Sequence, residues 1–487
     1  MRLNEYEWSR NPRGMHNKNA PIKMDVDALS AAGMGWAKYT AISDEYVNDM
    51  TVLRERNITP IVRLWRPRFG AGDPEEKLRY YEAYVEAGCR WFEFYNEPNL
   101  DIEWQEGILP DYKNVAGIIA PLMTNWLRWA EWTIERGCYP AFPALSEAIG
   151  QHYDAIGWLR AMLTYLGDTY YERFRVVAAN GLWCATHPYI YNHFYQEDGS
   201  PTRARPADRQ RADEGGWRFE YPYDPISQAE KPGLTTISGP PSAPNGDPIG
   251  LIGMGDAFMR LFTEWFGGGA IPVVGTEGGI YPVPQGVGDF HQLDARYPGY
   301  NGFSHGEATI AMFNWSAYQA PPWFFGVALW KWDDYYETPF GPAIAIRRMV
   351  ETPPPFKEVP PLDALDGDGI AGIPRGWIGP GPIHGTPDVH CLLISAGFNA
   401  EWFFMAGKAY YERFRPQLLP TPDFLDNLTY RQSAGITVLT LPNLAEVLRA
   451  QLSARYPAAW LDMIAVETLD QLATVLNERA MRGLRFG

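Results

Sequence analysis

The chain has 487 residues, of which 46% are hydrophobic and 21% are charged, and its formal net charge at pH 7 is −16. This length predicts one large domain together with a smaller one, because a single core rarely grows so far. The acidic balance argues against nucleic acid or an anionic membrane surface as a partner, since both attract basic proteins.

Strand-like and helix-like segments alternate through the first two thirds of the sequence, which is typical of a parallel α/β fold. Eight apolar strands are predicted, over 13–17, 35–42, 58–65, 90–95, 139–145, 176–186, 271–277 and 326–332. Helical periodicity falls between them, over 25–32, 44–56, 73–87, 114–136, 155–174, 251–265 and 306–318. Eight such units predict a closed (β/α)8 TIM barrel over 1–350, with a long polar insertion at about 196–250.

The last third of the chain is predicted to contain a linker and a second, smaller domain. Residues 351–388 are rich in Pro and Gly and predict a linker. Beyond it, strands over 389–395, 436–441 and 460–466 alternate with helical stretches, so 389–487 are expected to form a small three-layer α/β module. Its sequence has no phosphate-binding loop and no metal-ligand spacing, and it indicates no particular role.

The four cysteines and the N-terminal residues indicate the cellular compartment of the protein. The cysteines are widely spaced and include no CxxC pair, which favours small buried thiols over a zinc site or a disulfide framework. The first 14 residues are too charged and polar for a signal peptide, and no run of about 18 apolar residues suits a membrane span. The expected location is cytoplasmic, or secreted if a leader has been removed.

Two carboxylates end predicted strands of the barrel. Glu97 follows the fourth strand, directly after Asn96, and Glu277 ends the seventh. In a closed barrel both strand ends open on one face. Two carboxylates there can cleave a glycosidic bond, because one protonates the leaving oxygen while the other attacks the anomeric carbon. This double displacement requires the two carboxyl groups to lie about 5 to 5.5 Å apart. The alternatives are a carboxylate at a helix N-terminus for Glu97 and a loop acid before a glycine turn for Glu277.

The runs Asn96–Pro98, after an aromatic strand, and Thr276–Gly279, after two valines, resemble motifs of a known enzyme group. They are similar to those of the retaining glycoside hydrolases of the barrel clan that includes cellulases, mannanases, xylanases and β-glycosidases. The resemblance covers the barrel and not the C-terminal module. It implies that Glu97 is the acid/base, that Asn96 binds the sugar 2-hydroxyl and that Glu277 is the nucleophile, with a carbohydrate substrate and no cofactor or metal.

The end of the sixth strand carries a further element of the resemblance. His187 and Tyr189 resemble the clan's His-x-Tyr pair, in which the His lines the sugar site and the Tyr hydroxyl touches the nucleophile. The run 193–195, His-Phe-Tyr, is a competing match. The resemblance therefore implies substrate-binding roles for His187 and Tyr189, with the second run left open.

The remaining expected site residues are aromatic or charged. Trp330 or Trp332, on the eighth strand, resembles the tryptophan platform beneath the sugar, and Trp332 is the better placed because it lies nearer the carboxyl end. Arg63 on the third strand is the candidate for the clan's arginine that keeps the nucleophile ionised. Glu93 shares an inward face with Glu97 and is expected to pair with Arg63 as structural support.

Together these features predict a cofactor-free retaining β-glycosidase that works by double displacement. Two alternatives remain: a carbohydrate-binding or scaffold barrel without hydrolysis, and an inverting barrel hydrolase with its carboxylates about 6.5 to 9.5 Å apart. The sequence indicates neither the sugar nor the oligomeric state.

Overall fold

Two parallel sheets organise the chain, a closed barrel and a smaller open sheet. A computed structural model describes residues 1–17, 23–146, 152–190, 205–214, 217, 219, 251–266, 269–280, 284–285, 289–290, 300–337, 341–365, 389–419, 421, 434–456, 459–482 and 484–486.

Eight parallel strands form the barrel. They are β1 (Arg13–His16), β2 (Trp36–Ala41), β3 (Thr59–Leu64), β4 (Trp91–Glu93), β5 (Tyr139–Phe142), β6 (Trp183–Thr186), β7 (Val273–Ile280) and β8 (Phe324–Leu329). Each strand pairs with the next, and β8 pairs with both β7 and β1. The predicted (β/α)8 TIM barrel is therefore confirmed, and all eight carboxyl ends lie on one face.

A helix follows each barrel strand. They are α1 (Val26–Ala31), α2 (Val47–Glu55), α3 (Leu78–Glu86), α4 (Ala120–Glu135), α5 (Ala155–Asn180), α6 (Gly253–Phe266), α7 (Gly302–Tyr318) and α8 (Ala343–Glu351). The prediction that the sixth strand begins at Val176 is wrong, because α5 continues to Asn180. Phe174, Val177 and Ala178 are buried at helical spacing, so packing of this helix face overrides the strand propensity of two successive valines.

Tryptophans from even-numbered strands fill the amino-terminal end of the barrel. Trp36 of β2, Trp91 of β4 and Trp183 of β6 are all buried. The ring centroid of Trp91 lies 5.0 Å from that of Trp36 and 5.2 Å from that of Trp183, edge to face. Side chains alternate along a strand, so Lys38 and Glu93, two positions further on, lie on the same inner side one layer nearer the carboxyl ends. Polar side chains enter the barrel from this layer upward.

The second sheet contains four parallel strands, in the order β10-β9-β11-β12. The strands are β9 (Val389–Ile394), β10 (Gln417–Leu419), β11 (Ala434–Thr440) and β12 (Trp460–Ala465). The helices are α9 (Ala400–Ala406), α10 (Lys408–Phe414), α11 (Pro442–Arg455) and α12 (Leu469–Arg482). Leu392 packs with Phe403 and Leu472 on one face, while Cys391 packs with Leu452 on the other. Helices thus cover both faces of this sheet.

The boundaries of the predicted domains stay predictions. Of the predicted linker, residues 351–365 include Leu362 and Ala364, which belong to the barrel core, and 366–388 lie outside the described residues. Most of the predicted insertion at 196–250 also lies outside them. Its described part includes Trp217 and Phe219, whose rings stack with centroids 5.9 Å apart.

Candidate active site

A cavity of about 750 Å³ lies at the carboxyl ends of the barrel strands. Its walls come from the ends of β2, β3 and β4 with the loops that follow them, and from single residues at β5, β6, β7 and β8. Among the residues predicted for the site, it is lined by Arg63, Asn96, Glu97, Tyr189, Glu277 and Trp330. The fold therefore brings six of the eight predicted residues to one cavity.

The loop after β4 holds Glu97 in an uncommon backbone conformation. The φ angle of Glu97 is 34°, in the left-handed region that residues other than glycine rarely adopt. The Leu100 N–H donates to the Glu97 carbonyl over 2.9 Å and closes a tight turn. Asn99 then anchors the loop, because its side chain donates to the Ser146 carbonyl over 2.9 Å and accepts from the Ser146 N–H over 3.0 Å. These bonds hold the turn from which the Glu97 side chain lines the cavity.

Donors surround the Glu277 carboxylate. Arg63 Nη2 donates to Glu277 Oε1 over 3.2 Å, and the Tyr189 hydroxyl donates to Oε2 over 2.8 Å. His16 Nε2 lies 3.5 Å from Oε1. Burial alone would raise the pKa of Glu277, but His187, His16 and Arg63 outweigh it and hold this pKa well below its usual value. Glu277 is therefore ionised in the folded protein.

His187 lies between the two carboxylates. Its Nδ1 is 2.8 Å from Glu97 Oε1, and its Nε2 is 3.7 Å from Glu277 Oε1. Burial would lower the pKa of the imidazole, yet the nearby Glu277 and Glu97 carboxylates raise it above its usual value. The raised pKa favours the imidazolium, whose Nδ1–H can donate to Glu97, while Nε2 has no hydrogen-bond partner among the described residues.

Asn96 and a third carboxylate form a pair beside Glu97. Asn96 Nδ2 donates to Glu103 Oε1 over 2.7 Å, and both residues line the cavity. Burial raises the pKa of Glu103, the Glu97 and Glu277 charges add to this effect, and the bond from Asn96 opposes it. The amide that was predicted to meet the sugar is therefore fixed by a carboxylate of the same loop.

The two candidate tryptophans occupy different surroundings. Trp330 lines the cavity, and its ring centroid lies 4.5 Å from that of His16 and 6.2 Å from that of Tyr189. Trp332 does not line the cavity; it stacks on Tyr336, with centroids 3.9 Å apart. The preference for Trp332 assumed that strand alternation continues, but β8 ends at Leu329. Of the two, only Trp330 is in a position to contact a ligand in this cavity.

The predicted pairing of Glu93 with Arg63 is wrong. Glu93 forms a buried ion pair with Lys38 of β2, while the Arg63 guanidinium reaches Glu277. Arg63 and Glu93 are register partners on β3 and β4, but an arginine side chain is long enough to extend past its neighbour toward the carboxyl end. Glu93 is thus part of the barrel interior beneath the cavity.

Three residues of the site were not anticipated. His16 ends β1 and contacts Glu277, Glu103 binds Asn96, and Trp65 lines the cavity with 49% of its surface exposed. His16 and Trp65 each lie at the carboxyl end of a barrel strand, so the rule that located Glu97 could have found them. Glu103 follows a turn within a loop and carries no such signal.

Other features raised by the sequence lie away from this cavity. The four cysteines are free and buried. The competing run 193–195 falls outside the described residues. Within the part of the chain that the structure describes, no group of His, Cys, Asp and Glu is arranged to hold a metal ion. No helix in the same part is long and apolar enough to cross a bilayer.

Comparisons with known proteins add little beyond the barrel. No protein-family model and no curated protein matches the chain. Similar solved structures include a β-glucosidase from Exiguobacterium marinum, with 14% identity and a TM-score of 0.30 over 63% of this chain and 77% of that one. Another is the virulence factor SghA in complex with its substrate analog salicin, with 11% identity and a TM-score of 0.29 over 63% and 74%. These values are too low to carry an argument about activity.

Proposed function

We propose that the chain is a retaining glycoside hydrolase that cleaves β-glycosidic bonds by double displacement, with Glu277 as nucleophile and Glu97 as acid/base. One observation carries the proposal: two carboxylates from different strand ends contact the same imidazole, and one of them, Glu277, is held ionised by His187, His16 and Arg63 and accepts a hydrogen bond from Tyr189. An ionised carboxylate beside a second one that can exchange a proton is the arrangement that this chemistry requires.

In the first step, a Glu277 oxygen attacks the anomeric carbon and forms an ester bond to the sugar. The glycosidic C–O bond breaks, and the leaving oxygen takes the proton of Glu97. In the second step, Glu97 removes a proton from water, the water oxygen bonds to the anomeric carbon, and the Glu277 carboxylate leaves. Both residues return to their starting protonation states, and the anomeric configuration is retained.

Further residues support this assignment. Trp330 offers an aromatic face that can stack on the C–H groups of a sugar ring, and Asn96 offers an amide beside Glu97. The charged groups lining the cavity are four carboxylates and two guanidinium groups, from Glu45, Glu97, Glu103, Glu277, Arg63 and Arg66.

Two variants test the proposal with a panel of aryl β-glycosides and oligosaccharides. Glu277→Ala is expected to abolish turnover of every substrate. Glu97→Ala is expected to retain cleavage only of glycosides whose leaving group needs no proton. NMR of the first-formed product from the wild type should show retention of configuration. Glu106→Ala, which removes an exposed carboxylate from the same loop as Glu97, serves as the control and should act as the wild type does.

The results also separate the other interpretations. Inversion at the anomeric carbon would assign the barrel to the inverting hydrolases. Carbohydrate binding without hydrolysis would indicate a binding or scaffold barrel. Full activity of Glu277→Ala on an unactivated glycoside would refute the assigned nucleophile.

A further inference from the structure

Glu103 is a cavity-lining carboxylate that the sequence motifs do not explain. It ends a 3₁₀ turn in the loop after β4, and the backbone fixes this turn, because the Gly70 N–H donates to the Glu103 carbonyl over 2.8 Å. The next residue, Trp104, is buried, and its indole donates to the Pro98 carbonyl over 2.8 Å. The loop therefore holds Glu103 in place independently of its side chain.

The bond between Glu103 and Asn96 has a defined direction. The nitrogen of the Asn96 amide faces the Glu103 carboxyl group, which in its ionised form can only accept, whereas a hydroxyl or amide neighbour would allow either end. The contact from Asn96 Nδ2 to Glu103 Oε1 is 2.7 Å long. The amide oxygen is buried and has no hydrogen-bond partner among the described residues, so the second N–H of the amide nitrogen is the group left for a ligand. Glu103 thus decides which way the Asn96 amide is turned.

We propose that Glu103 is a positioning residue: it fixes the Asn96 amide for a hydrogen bond to the substrate hydroxyl next to the reacting carbon, and so makes the site selective for glycosides that carry this hydroxyl. The inference rests on the proposed function, because it requires Asn96 to meet a sugar. If Glu103 has this role, substituting it should matter only when the substrate carries this hydroxyl and Asn96 is present. A purely structural role for Glu103 would show neither dependence.

Kinetics of two Glu103 variants test the inference. Glu103→Ala should lower kcat/KM about tenfold for an activated aryl β-glycoside, the effect of one ordinary hydrogen bond. Glu103→Gln should restore only part of this loss, because its amide oxygen can accept the same bond from Asn96 but its NH2 group also allows the reversed orientation. With the matching 2-deoxy glycoside, both variants should equal the wild type. Glu106→Ala should be unchanged with either substrate.

A double-mutant cycle with Asn96→Ala completes the test. In that background Glu103→Ala should cause no further loss, because the amide it positions is already gone. Additive losses, or an equal loss with the 2-deoxy glycoside, would overturn the positioning role while leaving the proposed function intact. A wild type that cleaves no glycoside would overturn both. Thermal unfolding of each variant checks that the loop and barrel are folded.

Discussion

The hydroxyl of Tyr189 offers a test of how Glu277 is kept ready to react. It donates to Glu277 Oε2 over 2.8 Å, while the other carboxylate oxygen faces Arg63 and the two imidazoles of His16 and His187. Tyr189→Phe removes this hydroxyl and keeps the ring. A hydrogen bond to a charged group contributes about 1.5 to 3 kcal/mol, and about 1.4 kcal/mol corresponds to a factor of ten in rate. The variant should therefore lose about tenfold to a hundredfold in kcat/KM.

The same substitution should change the pH dependence. A donor favours the charged form of a carboxylate, so its loss raises the pKa of Glu277 toward the value that burial alone would give. The attack requires the ionised form, and the acidic limb of the kcat/KM profile should consequently move to higher pH. The assay is the pH profile of wild type and Tyr189→Phe with the best aryl β-glycoside.

A matched control distinguishes this effect from a general loss of a hydroxyl. Tyr171, on α5, is 38% exposed and packs its ring against Phe266. Tyr171→Phe should leave both the rate and the pH profile unchanged. If Tyr189→Phe also leaves the acidic limb in place, the reasoning that assigns this limb to Glu277 is refuted.

Three further predictions concern stability and binding. Lys38→Met should lower the melting temperature, because an unpaired buried Glu93 costs about 3 to 5 kcal/mol, and Lys38→Met/Glu93→Leu should recover most of the loss. Burial lowers the pKa of Lys357 from 10.5 to about 7, so between these values the unfolded chain binds more protons than the folded one. Stability should rise with pH across this window, and the melting temperature of the wild type should rise more than that of Lys357→Met. Trp65→Ala should raise KM for an aryl glycoside with little change in kcat in steady-state assays, because stacking contributes equally to ground and transition states.

The barrel and the positions of its two carboxylates follow from local patterns. Strand and helix periodicity alternate, and once eight units are counted the closed fold brings the ends of β4 and β7 to one face. Because neither step depends on individual contacts, the positions of Glu97 and Glu277 at one face can be predicted from the sequence. Their chemical roles stay predictions.

The sequence predictions that failed concern residues whose position depends on a long-range contact or on where a secondary-structure element ends. Glu93 pairs with Lys38, which lies two strands away, and only the curvature of the closed barrel brings these side chains together. The preference for Trp332 depended on a strand that ends three residues earlier. Glu103 was missed because its position is set by a turn and by the bond to Gly70, neither of which leaves a periodic pattern in the sequence.

The left-handed backbone conformation at Glu97 lowers the stability of the folded chain. A residue other than glycine in the left-handed region is destabilising by about 1 to 3 kcal/mol, and glycine or asparagine would adopt the same turn more easily. Arg10, Arg68 and Arg415 also have a positive φ, but of these four residues only Glu97 lines the cavity. The strain at Glu97 therefore coincides with the delivery of a carboxylate to the cavity, which is consistent with a functional role for this side chain.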